Sequence, residues 1–160
     1  MQNNIQTVEM AQRTGQIIVG ALIMGVLTFA MIAASIGTWD PTNFGIMQIL
    51  GIGMCMGTFP AALIVPKLIV SNMRQTLPKP PNDSVTQDSF APMFLTSTII
   101  GAALIEGSAF FSLVTYLLEG HFSSLIVALV CLFTLVLFFP MPGRVAEFTQ
   151  TQHQLWLRSS

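Results

Sequence analysis

Glu106 is the residue whose chemistry most needs an explanation. It sits in "GAALIEGSAF", residues 101–110, inside a run that is otherwise apolar. A charged carboxylate at the centre of a bilayer costs roughly 3 kcal/mol on insertion scales. The neutral acid is the form that lipid tolerates, and a neutral carboxyl can donate a hydrogen bond or exchange a proton. No Lys, Arg or His lies at the same depth elsewhere in the chain, so an ion pair within one subunit is excluded. The remaining partners are hydroxyls and backbone carbonyls. Thr58, Ser108 and Thr134 supply the hydroxyls, and Glu106, Thr58 and Ser108 form the candidate ion-binding set. Two readings stay open. The carboxyl either binds and releases an ion, or it ties helices together as a protonated structural group in an accessory subunit.

Other chemistry is sparse. No HExxH, CxxC or paired-His motif occurs, so no metal and no cofactor is expected. No nucleophile–base constellation exists, and Glu106 stands alone, which argues against an enzyme. Cys55 and Cys131 each fall inside an apolar run and read as small packing residues rather than a disulfide or metal pair.

The elements that must position Glu106 follow from hydropathy. Of the 160 residues, 52% are hydrophobic and 8% charged, whereas soluble domains carry about 25% charged residues. Mean hydropathy is +0.71. The expected partner is therefore a lipid bilayer. A net charge of -1 from only six basic residues excludes a nucleic-acid surface.

Four apolar stretches, at about 15–36, 44–70, 93–118 and 123–139, approach or exceed the roughly 20 residues needed to cross a membrane as a helix. Their continuous apolar character favours helices over barrel strands. The first stretch is long for a signal peptide and follows a polar segment, so it is read as a span. "GTWDPTN" (37–43) and "EGHF" (119–122) read as short turns, and 71–90 reads as a polar loop. The fold class is all-α: a polytopic membrane protein with four transmembrane helices in an antiparallel bundle and short interfacial helices at the termini. In the C-terminal one, Trp156 suits the headgroup level.

Arg13, Lys67, Arg74, Lys79, Arg144 and Arg158 all fall on one side of this arrangement. The positive-inside rule then places both termini and the loop 71–90 in the cytoplasm, in a plasma or bacterial inner membrane.

Small residues mark close helix approaches. Gly53 and Gly57 of the second span are expected to face Ala103 and Gly107 of the third. Pro60 and Pro66 should bend the second span, and the bulky fourth span should sit at the periphery.

Taken together, "GIGMCMG" (51–57), "RQTLP" (74–78) and "IIGAALIEGSAFFSLVTYLL" (99–118) resemble the proteolipid c subunits of rotary ATPases. Glycine-rich helix, polar Arg-Gln loop and acid-bearing helix follow in that family's order over about residues 45–118. The resemblance implies that Glu106 carries a proton, that Arg74 and Gln75 contact another subunit, and that the chain works with itself or with other membrane subunits. Phe110 and Phe111 leave little room for the extra polar groups of a sodium site, so the ion implied is a proton.

Overall fold

The structure, a computed structural model, describes residues 2–38, 40, 45–78, 87–141 and 143–158. Among them it forms five α-helices: α1 (Gln2–Ile36), α2 (Ile46–Gln75), α3 (Ala91–Glu119), α4 (Phe122–Leu137) and α5 (Arg144–Leu157). A single 3-10 turn, Gln87–Phe90, leads into α3.

Three of these helices, α1, α2 and α3, are long and apolar enough to cross a membrane. α4 is more apolar than any of these but has 16 residues, which at 1.5 Å per residue is about 24 Å against a hydrocarbon core of about 30 Å.

α3 is the hub. Half of its most apolar stretch is buried, against 17% for α1 and for α2. α1, α2 and α4 all pack on it, while α1 and α2 flank it with little contact between them. Paired positions give the directions. Gly15 lies by Leu95 and Gly37 by Tyr116, so α1 runs parallel to α3. Gly51 lies by Thr115 and Gly101 by the carbonyl of Ala62, so α2 is antiparallel to α3. Gly101 also meets Phe138, so α4 is antiparallel to α3 as well. The buried line of α4 is narrow: Ser124, Ala128, Cys131 and Leu135 face inward, while Leu129, Val130 and Phe133 are exposed.

Several sequence expectations need correction. α2 does not stop at Val70 but continues to Gln75, so Arg74 and Gln75 lie on its last turn rather than in a loop. Only one proline-free turn of helix is needed for this, and the segment 67–75 contains no breaker. The N-terminal segment is no separate interfacial helix. It is continuous with α1, because nothing between Gln2 and Gly15 breaks a helix and Gly15 itself packs on Pro140. α5 is a separate helix, but Trp156 is not at an open surface. It is 4% exposed, stacks on His153 and donates from Nε1 to the Pro78 carbonyl at 3.0 Å. The indole thus pins the end of α2's exit segment to α5, and it buries its apolar body with Val70, Phe90 and Met93.

The glycine faces also differ from expectation. A Cβ at Gly53, Gly57 or Gly107 would meet nothing, so these residues lie on open surfaces and not in the α2–α3 seam. That seam is formed at Gly51 and Gly101, two positions from Gly53 and Ala103 and so on nearly the opposite face of each helix. The α2 helix runs through both Pro60 and Pro66. Pro66 has no N–H for the Ala62 carbonyl, and that carbonyl is the one lying against Gly101.

The end of the bundle away from the basic residues is closed by polar bonds. Gly120 terminates α3 with φ 70°, a left-handed cap in which its N–H bonds the Tyr116 carbonyl at 2.8 Å. Glu119 spans the two helices it joins. Its carboxylate accepts from the backbone N–H groups of Met47 (2.9 Å) and Gln48 (3.0 Å), capping α2 where the helix dipole favours an anion. Gly45 precedes it, and a side chain there would collide with that carboxylate. Gln48 is buried and its Nε2 donates to His121 Nδ1 at 2.9 Å. His121 Nδ1 also accepts from the Ser123 N–H, which fixes it as an acceptor and caps α4.

Cys55 and Cys131 are free thiols, packed between α2 and α4 with their sulfurs 3.6 Å apart. Cys131 is wholly buried in the core, as a packing residue should be, but the pairing could not be read from spacing. A membrane-permeant oxidant such as copper–phenanthroline is expected to join the two within one chain. A mobility shift on a non-reducing gel, lost in Cys131→Ser, would report it. Failure to cross-link would contradict the α2–α4 contact.

Candidate functional site

Glu106 lies near the middle of α3, where residues 91–119 are helical. The residues around it have two different fates. Ala102, Ile105 and Ala109 are buried, whereas Ala103 and Gly107 are exposed on the side of α3 that neither α1 nor α2 covers. Glu106 is at the α1 edge of this open strip and is partly exposed.

α1 makes room for the carboxyl. A Cβ placed on Gly25 would lie 3.8 Å from Glu106 Oε1 and the same distance from Phe110. One turn further, Phe29 and Phe110 stack at a tilt with centroids 5.4 Å apart. The floor beside Glu106 is therefore one glycine, and its outer wall is aromatic.

Glu106 makes no hydrogen bond and no ion pair with any described residue. The hydroxyls expected as its partners are spent elsewhere. Thr58 Oγ1 donates to the Met54 carbonyl of its own helix. Ser108 faces α4, where its Oγ accepts from Cys131 Sγ at 3.7 Å. Thr134 Oγ1 donates to Val130 at 2.8 Å. The structure therefore does not draw Thr58, Ser108 or Thr134 into one cluster with Glu106. Two residues along a helix are about 200° apart around its axis, which sends Ser108 to the face opposite Glu106.

Arg74 and Gln75 lie at the basic end of the bundle, far along α2 from the level of Glu106. Arg74 Nη1 donates to Gln152 Oε1 of α5 at 3.4 Å, an internal partner. Gln75 is exposed. No group of three or more His, Cys, Asp or Glu that could hold a metal occurs among the described residues.

The two segments that meet at Glu106 are similar in sequence. α1 contains Ala21-Leu22-Ile23-Met24-Gly25, and α3 contains Ala103-Leu104-Ile105-Glu106-Gly107. The two pentapeptides differ only at Met24 and Glu106. They lie on parallel neighbouring helices, and Gly25 of the first abuts Glu106 of the second. α1 is thus an apolar counterpart of the acid-bearing segment, and its glycine supplies the space beside the acid.

Comparison with protein-family models, with curated proteins and with solved structures finds no match to this chain.

Proposed function

We propose that this chain is a four-span integral membrane protein in which Glu106 takes up and releases a proton, in an oligomer or alongside other membrane subunits. In this reading α4 completes the set of spans, aided by the aromatic residues Phe138 and Phe139 that extend its apolar length. The basic residues lie at the cytoplasmic end, and Arg74 and Gln75 on the last turn of α2 are the subunit contacts that the resemblance to proteolipid c subunits implies. That resemblance rests on the sequence motifs alone.

One observation carries the proposal. Glu106 is partly exposed at mid-helix, with no hydrogen-bonding or charged partner among the described residues. A carboxyl that served only to tie helices would spend its proton on a neighbouring oxygen, because an unmade bond in hydrocarbon is costly. Here the nearby hydroxyls serve their own helices or face elsewhere. A carboxyl open to one side can instead meet a group on another subunit and return to the lipid-facing side as the neutral acid.

Hydrophobic carbodiimides test this reading, since they modify protonated carboxyls within lipid. Labelling is expected at Glu106, faster at lower pH. Glu119 should stay unlabelled, because its carboxylate is held by two backbone N–H groups at the end of the bundle. Peptide mass mapping locates the adduct. Labelling at Glu119 with none at Glu106 would reject the proposal.

A further inference from the structure

A groove on the side of the bundle away from Glu106 has the composition of a binding site for a lipid. It lies between α2, α3, α4 and α5 and encloses about 730 Å³. That volume falls in the range of roughly 300–1,000 Å³ typical of small-molecule sites. A smaller recess of about 200 Å³ continues it toward the end of α2 and shares Lys67, Ser97 and Gln152 with it.

The two ends of the groove differ in chemistry. Its inner end is apolar, bounded by Phe59, Ala62, Leu63 and Ile105. Its outer end carries Lys67, Arg74 and Arg144. Glu147 lines it too, so three cations face one carboxylate there. None of the three cations has a salt bridge to a described residue. Arg74 spends one donor on Gln152 and Arg144 one on the Leu137 carbonyl at 3.1 Å, and each guanidinium keeps further N–H groups to offer. Cations held by neutral acceptors beside a cavity remain available to an anion.

The length also fits. Along α2, Phe59 and Lys67 are eight residues apart, or about 12 Å of helix. One leaflet of the hydrocarbon core is about 15 Å deep. The groove thus runs from a basic rim to the level of Ile105, next to Glu106 at mid-helix, through close to one leaflet.

We infer that this groove holds one anionic phospholipid, with its phosphate between Lys67, Arg74 and Arg144 and an acyl chain against Phe59, Leu63 and Ile105. Basic recesses between membrane helices recognise such headgroups by charge. The apolar inner end separates this occupant from a free phosphate ion, which would gain nothing from it.

The test uses the full chain in nanodiscs of defined lipid, released into the gas phase for native mass spectrometry. With phosphatidylglycerol, one lipid per chain is expected to remain bound. With phosphatidylcholine, retention should be at least ten-fold lower. The triple variant K67Q/R74Q/R144Q should lose the preference for phosphatidylglycerol by a similar factor. Thr134→Phe, which fills the inner end without touching a charge, should also reduce retention while the melting temperature stays close to that of the parent. Inorganic phosphate added at millimolar level should not displace the lipid. Equal retention of both lipids by the unmodified protein would overturn the inference, and that comparison needs no variant to fold. Displacement by inorganic phosphate would overturn it as well, by making the rim a site for free anions.

Discussion

Glu106→Gln is expected to leave the bundle standing and to abolish proton movement. An amide is neutral and nearly the same size as the neutral acid. The carboxyl has no bond among the described residues to lose, and its contact with Gly25 depends on shape rather than charge. Stability in detergent, read from thermal melts, should therefore change by no more than the about 0.5 kcal/mol typical of a substitution that breaks no contact. The proton-dependent signal of membrane vesicles carrying the chain, read with a pH-sensitive dye, should fall to that of vesicles lacking it. Glu106→Asp should keep part of the signal, because it keeps a carboxyl one methylene closer to α3. Full activity in Glu106→Gln would remove the proton from the account and leave Glu106 as a packing residue.

Gly101→Leu should have the largest effect on stability. A Cβ at this position would lie 2.6 Å from Phe138 Cε1 and in contact with the Ala62 carbonyl at 3.4 Å, so the rest of a leucine side chain finds no room unless the Phe138 ring turns away and α2 gives ground. Overpacking of this kind typically costs about 1–3 kcal/mol, and a loss in that range is expected. Gly57→Leu is the control. Its Cβ would meet nothing, and leucine favours helix over glycine by about 0.8–1 kcal/mol. Thermal melts in detergent should therefore show Gly101→Leu strongly destabilised and Gly57→Leu neutral or slightly stabilised. Equal losses in the two would mean that the faces of α2 and α3 are assigned wrongly.

This contrast shows where the sequence was informative. The existence and order of the helices were legible because apolar length is a local property. α1, α2 and α3 appear within a few residues of the expected spans, apart from their extensions at the basic end. The position of Glu106 near mid-helix follows from the same signal. Helix faces were not legible in the same way. α2 and α3 are apolar all round, so small residues show where an approach is permitted but not which approach is used. Gly51 and Gly53 are only two positions apart, yet one meets Phe111 and Thr115 and the other meets open space. Ser108, expected beside Glu106, is turned to α4 by its place on the helix.

Polar groups at the ends of the bundle take their roles from distant partners. Glu119 reads as the first residue of a short turn, and it is the cap of α2. Trp156 looked like an interfacial anchor, and it is buried against the α2–α3 connection. In both, the deciding partner is more than 70 residues away in the chain, beyond the reach of local pattern. Lys67 and Arg144 counted only toward sidedness, although the fold brings both to the rim of one groove.

In the proposed function Glu106 exchanges a proton inside the membrane. Infrared difference spectroscopy of the protein in lipid, stepped between low and high pH, reads that exchange at the bond concerned. A carbonyl band of a protonated carboxyl is expected, one that disappears as pH rises and is missing from Glu106→Gln. A titrating band that persists unchanged in Glu106→Gln, or no titrating band at all, would contradict it.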